Sequence, residues 1–415
     1  MKRRTRHAAS AAAALTVSTA LLASCASSDG QGEAVQQLLG QTGGAITIWA
    51  GEDTIRGLSD IVEEYESDTG IPIRFVQRDA SARTMSEFIT QSPMGQGPDI
   101  IVSPHDNLGQ LVANGLLAPI ELGDYEDEFL EVAVQALTYD GVVYGVPFAV
   151  ENIAVLRNNA LTTHEPGTFG ELIADGQRLV DAGEASFPVS IPQSPDAGDP
   201  YHLYPLQTSF GAPVFETDED GAYTADLGMS GPEGEAFAQY LSELGRSGVL
   251  NTSMTPDIGK EAFINGRSPY ILSGPWNVND FEEAGLDLTL LPVPPAGEHP
   301  AQPFVGIQAF FVNANSQNSL PANDFLLNYV TRPDVQLSLF EAMGRPPAIE
   351  AAIDSINDRP LLAAYADVAA DGAPMPAIPE MRTVWMFWGT TQNGIVDGHP
   401  DPVTLWRRMI TSIEN

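Results

Sequence analysis

The chain has 415 residues, 43% of them hydrophobic, which is enough for two or three domains of ~150 residues each. It carries 55 acidic against 19 basic residues, a net charge of −36, and its lysines are Lys2 and Lys260. Such a surface repels phosphate backbones and anionic lipid, and it lacks the cationic clamps a nucleotide enzyme needs, so both function classes are set aside.

In chain order, Lys2, Arg3, Arg4 and Arg6 form a basic head. Residues 8–23 follow as an apolar run of small side chains, about half the length that spans a bilayer. The run ends in Leu22-Ala23-Ser24-Cys25, and Cys25 is the chain's one cysteine. This ending resembles the bacterial lipobox, which implies an acylated Cys25 at the mature N-terminus. A cysteine-free remainder agrees, since no disulfide can use the thiol. Residues 1–24 are therefore expected to be a signal peptide, and 25–44, rich in Ser, Gln and Gly, a flexible tether. No later segment reaches ~18 uninterrupted apolar residues, so no transmembrane helix is expected.

Residues 45–50 read as a buried strand. Ile55, Leu58, Ile61, Val62 and Tyr65 then recur at helical spacing up to Gly70. A strand at 71–76, a helix near 80–92 and a strand at 99–102 continue an alternation that signals a parallel α/β sheet. Residues 144–156 form a long apolar, extended run with one acid, Glu151, in its middle. The α/β pattern then restarts, with helices near 168–183 and 231–247 and an apolar segment at 270–272. A Pro-rich stretch at 292–303 precedes a second extended run, 304–312. Helical segments fill most of the chain from 321, broken at Pro346-Pro347 and at 373–379. Two α/β blocks joined by extended crossings predict two lobes with a cleft between them.

Chemistry-bearing motifs are few. No phosphate loop, dinucleotide fingerprint or nucleophile elbow occurs, and the six histidines make no HExxH or His-x₃-His pair. His105-Asp106 has no second histidine nearby to complete a metal site. No catalytic residue, metal or cofactor is expected.

One ordered set of segments does stand out: Ile46-Thr47-Ile48-Trp49, Gly97-Pro98-Asp99-Ile100-Ile101, His105-Asp106, Gly115-Leu116-Leu117-Ala118, Val150-Glu151-Asn152, Gly274-Pro275-Trp276, Pro303-Phe304-Val305-Gly306 and Met375-Pro376-Ala377-Ile378-Pro379. In order and spacing, this set resembles the sugar-binding lipoproteins of ABC importers, extracellular solute-binding protein family 1. The maltose/maltodextrin binders are the nearest branch. The resemblance implies an α/β, bilobed periplasmic-binding-protein-like fold of type II. Its expected lobes are 45–149 plus 305–355, and 150–304 plus 356–415. It further implies a monomer held outside the cell membrane by lipid alone, binding an oligosaccharide and handing it to ABC permease subunits, with no reaction catalysed.

Carried over position by position, the acids of the site are Asp53, Asp106 and Glu151. Asp199 and Tyr201 match a Glu-Pro-Tyr motif. Trp276 and Trp385 match two stacking tryptophans, and Met375 lines the same face. Trp388, three residues on, competes with Trp385 for the stacking role. Flat aromatics suit the apolar faces of a pyranose, and carboxylates suit its ring of hydroxyls. Departures fall on cationic and peripheral contacts: Thr54, Ser103, Asn107, Pro256, Met386 and Gly389 stand where the maltose binders have a lysine, a tryptophan, an arginine, an aromatic, a tyrosine and an arginine. They keep an oligosaccharide as the expectation and leave its identity open between maltodextrin, trehalose and another disaccharide. An exported glycoside hydrolase is the competing class.

Overall fold

The computed structural model describes residues 44–415 apart from 80, 219–220, 354–355 and 357. The signal peptide, Cys25 and all of the tether except Gly44 lie outside the described residues.

The first sheet is built from β1 (Ile46–Ala50), β2 (Ile73–Gln77) and β3 (Ile100–Pro104), with β1 parallel to both others. Helices Ser59–Thr69 and Ala82–Gln91 make the crossovers. The first ends where Gly70 takes φ 72°, a left-handed cap that costs a glycine little. A two-strand ribbon, β4 (Thr138–Tyr139) and β5 (Val142–Val143), precedes β6 (Gly145–Glu151). The predicted run at 144–156 is not one strand. It breaks at Asn152-Ile153, and β7 (Ala154–Asn158) enters a different sheet.

That second sheet places β7 between β8 (Tyr270–Ser273) and β9 (Leu288–Leu291), and both neighbours run antiparallel to it. The restarted helix–strand alternation leaves the direction of these three strands open. Apolar periodicity marks a strand but carries no information about its direction. Ser190 adds one parallel bridge to Ile271. Helices Phe169–Asp181 and Gly231–Ser247 fall where the spacing predicts them.

The chain then returns through β10 (Phe304–Val312), which pairs antiparallel with β3 and with β6. Its first residues also pair with β11 (Ala373–Pro374) in parallel. The crossings at 150–154, 304–306 and 373–375 therefore lie side by side. On one side of them a large apolar core gathers Ile48, Phe88, Val146, Phe310 and Phe325. On the other, a second core gathers Phe237, Tyr270, Phe304, Trp388 and Trp406. The result is two α/β lobes joined by hinge crossings, with a cleft between them.

Candidate ligand-binding cleft

The second lobe presents rings to the cleft. Asp199 caps helix Pro200–Thr208 by accepting the His202 backbone N–H at 3.2 Å, which sets Tyr201 in the first turn. Trp276 sits in the one-turn helix Pro275–Asn277 directly after β8. Its ring lies so close to Gly274 that any side chain there would collide with it, so the glycine is required by contact. Trp385 and Trp388 come from helix Met381–Val396, three residues apart. Tyr201 joins the set: its ring lies 6.2 Å from Phe304 at 25° and 6.4 Å from Trp276 at 40°. Trp385 continues it at 6.5 Å from Phe304.

Burial separates the two tryptophans. Trp388 is fully buried and donates its indole N–H to Gln207 Oε1 at 3.1 Å, so neither face is free. Trp385 and Trp276 are half-buried. A helix turns 100° per residue, so positions three apart diverge by 60°, enough to put one ring in the core and one at its edge.

The first lobe and the hinge present charge. Glu151, buried at the end of β6, accepts Arg345 Nε at 2.6 Å on one oxygen and Gln308 Nε2 at 3.0 Å on the other. The Arg345 guanidinium lies 5.6 Å from the centre of the Trp276 ring, a cation–π contact that ties the acid to the aromatic wall. Gly306 stands opposite Glu151 in the β10 register, and its missing side chain makes room for Glu151 Cγ and the Tyr201 hydroxyl. Beyond this pair opens a pocket lined by Gly51, Asp53, Thr54, Arg78, Gln308 and Arg345.

His105 and Asp106 follow β3 in a single turn. The imidazole is fully buried: Nδ1 accepts the Ile307 backbone N–H at 3.0 Å, so Nε2 carries the proton and donates it to the Met375 carbonyl at 2.9 Å. Burial pushes its pKa down to about 4, and it is neutral. It pins the end of β3 to two of the three crossings. Asp106 is desolvated beside Trp385, and burial pushes its carboxyl up to about 7. Asn107 Nδ2 donates to its Oδ1 at 3.0 Å.

Of the residues expected from sequence, Glu151, Tyr201 and Trp276 come together, as do Asp106 and Trp385. The other three sit differently. Asp199, besides capping its helix, approaches His202 Nδ1 at 2.7 Å, and that imidazole packs edge-on behind Trp276 at 5.9 Å. Met375 is buried in the second core, so what it gives the hinge is its carbonyl. Asp53 stands exposed at the rim, paired with Arg56 at 2.7 Å. Arg345, Gln308 and Arg78 were not anticipated. Gln308 alternates with Gly306 along β10 and so shares its face, a period-two signal that was readable in the sequence. Arg345 had only its rarity, a cation in an acid-rich chain. Among the described residues no cluster of three or more His, Cys, Asp or Glu could hold a metal ion, and no helix is long and apolar enough to cross a membrane.

Residues 60–370 match the family described as bacterial extracellular solute-binding protein. A galactooligosaccharide-binding protein of Bacillus subtilis is 24% identical over 372 residues, covering 87% of this chain and 86% of its own. A maltotriose-binding protein of Pyrococcus abyssi is 25% identical, covering 86% of this chain and 78% of its own. The structure of a Thermus thermophilus maltotriose binding protein bound with maltotriose superimposes with a TM-score of 0.78 at 29% identity, over 89% of this chain and 99% of the other. With three quarters of its length matched and the same bilobed fold, this chain belongs to the bacterial extracellular solute-binding protein family.

Proposed function

We propose that the protein captures a maltooligosaccharide, maltotriose in size, in the interlobe cleft and delivers it to an ABC permease. The observation that carries this reading is the ring platform of Tyr201, Trp276 and Trp385 set beside the acids Glu151 and Asp106. Half-buried indoles present apolar faces that a pyranose can cover, while the pre-oriented carboxyl oxygens of buried Glu151 and half-buried Asp106 accept its hydroxyl protons. The relatives that bind maltotriose support the same ligand size. Capture favours the closed arrangement of the lobes because the sugar then touches both walls at once. The test is small-angle scattering with and without maltotriose. A smaller radius of gyration with sugar is expected, together with no release of glucose on long incubation. An unchanged radius at saturation would contradict hinge closure, and steady turnover would make the protein a hydrolase.

The galactooligosaccharide-binding relative supports a second reading, a galactooligosaccharide in the same cleft. Trehalose is the disaccharide competitor. The lobes we assign are 45–149 with 305–355 and 150–304 with 356–415, a division supported by the two apolar cores. We further propose that Cys25 is acylated and holds the protein, as a monomer, on the extracytoplasmic face of the cell membrane. Cys25→Ser should release it from the membrane fraction or leave an uncleaved precursor. Unchanged attachment would remove the lipid anchor from the reading.

A further inference from the structure

Arg345 stands where the two walls of the cleft meet. Its backbone is held on both sides. Gly344 before it turns with φ 64°, and after it the Pro346 carbonyl accepts the Val150 backbone N–H at 2.8 Å while Pro347 bridges to Ala149 of β6. The side chain is held as well. Nε donates to Glu151 Oε2 at 2.6 Å, and the guanidinium carbon lies over the Trp276 ring, 5.6 Å from its centre. Yet Nη1 and Nη2 have no hydrogen-bond partner among the described residues, and neither is closed off from solvent. The side chain is 22% exposed and lines the pocket shared with Asp53 and Gln308. A planar, two-pronged donor is thus left open at the edge of the ring platform.

We propose that Arg345 is a specificity-determining residue, whose Nη1 and Nη2 donate to the 2- and 3-hydroxyl oxygens of the pyranose stacked on Trp276. This rests on the sugar reading of the cleft and deepens it. A pyranose lies ~4 Å above the indole it covers, so one seated on Trp276 brings its rim up to the guanidinium. Equatorial hydroxyls point outward within that layer, and an axial hydroxyl leaves it. In a 1,4-linked chain the 4-oxygen is taken by the linkage, so the adjacent free pair on an internal ring is the 2- and 3-hydroxyls. Two neighbouring equatorial oxygens suit two parallel N–H donors, the geometry that makes arginine bidentate with carboxylates. Glu151, beside the fork, accepts a proton from the same pair. Glucose and galactose both hold this diol equatorial, whereas mannose turns its 2-hydroxyl axial. The fork therefore admits gluco and galacto chains and selects against manno ones.

The experiment is calorimetric titration of the full chain with maltotriose and with α-1,4-linked mannotriose, which differs from it in carrying axial 2-hydroxyls. The wild type should prefer maltotriose by roughly 10- to 100-fold, as one hydrogen bond to a charged group gives. Arg345→Lys keeps a cation beside Glu151, but a compact ammonium has no fork. Its preference should shrink to about three-fold or less, with a melting curve close to the parent's. Arg345→Met should lose the preference too, at a lower melting temperature because Glu151 is left with Gln308. A residue that only props Glu151 would lower both affinities together and leave their ratio alone. Two results would overturn the assignment: a wild type with no preference between the sugars, or a preference kept above about three-fold in Arg345→Lys. A wild type that binds neither sugar would instead overturn the sugar reading beneath it.

Discussion

The two walls of the cleft are held in place by opposite means. On the second lobe the rings brace one another: Tyr201 against Phe304 and Trp276, Trp385 against Phe304 and Trp388, and Phe304 against Tyr204 and Trp388 behind. Removing water from such a wall costs little, and its shape is fixed before any ligand arrives. On the first lobe and hinge the charges brace one another: Glu151 by Arg345 and Gln308, Asp53 by Arg56, and Asp106 by Asn107. Here the cost of removing water is high, and internal pairing offsets it. A carboxylate has about four acceptor sites and a guanidinium five donors, so Glu151 and Arg345 keep capacity for ligand hydroxyls after satisfying each other. One wall supplies area and the other supplies direction.

That contrast can be broken most severely behind the rings. Trp388→Ala should lower stability by about 3–5 kcal/mol, the usual cost of emptying a fully buried aromatic site. Chemical denaturation measures it, and a loss below ~1 kcal/mol would mean that Trp388 is not the support described. Trp276→Ala and Trp385→Ala should divide the other way. Each is expected to weaken oligosaccharide binding by about 2–4 kcal/mol, roughly 30- to 1,000-fold, with much smaller losses of stability because both rings are half-buried. A sharp fall in melting temperature with affinity intact would move Trp276 into the core.

The charged wall should respond more weakly. Arg345→Met leaves Glu151 buried with Gln308 alone and is expected to cost about 1–3 kcal/mol, part of it recovered in the double variant with Glu151→Gln. A double-mutant cycle giving no coupling would dissolve the pair. Asp106 gives a graded signal, spread over pH as a slope of at most about 1.4 kcal/mol per pH unit. Its folded pKa, about 7, lies above the ordinary aspartate value, so the native state holds the extra proton between roughly pH 4 and 7 and loses stability as pH rises through that window. His105 acts in the opposite sense: with its folded pKa lowered to about 4, it costs stability as pH falls below ~6.5. Melting curves from pH 4 to 8 should show Asp106→Asn gaining on wild type as pH rises. A difference independent of pH would contradict a desolvated Asp106.

Much of this contrast was legible in the sequence, and the residues show why the rest was not. β10 was readable to its ends, 304–312, because a long apolar run with Pro303 before it and Asn313 after it has few other solutions. Tyr201, Trp276 and Trp385 were singled out through motifs carrying rare, bulky side chains. The choice between Trp385 and Trp388 was not readable, since one helical turn contains both and only packing decides which is buried. The antiparallel second sheet and the burial of Met375 are likewise tertiary facts with no local signature. Arg345 follows a left-handed glycine, Gly344, in a connection whose fold depends on both lobes. Nothing adjacent marks it as the partner of an acid 194 positions earlier.

Calorimetric titration of maltotriose into the wild-type protein and Trp276→Ala, side by side, tests the central claim most directly. Saturable one-to-one binding by the wild type, in the micromolar range or tighter, should fall by roughly 30-fold or more in the variant, whose melting curve stays close to the parent's. Equal affinities in the two proteins, or no heat from the wild type up to millimolar sugar, would contradict a maltooligosaccharide stacked on the second lobe.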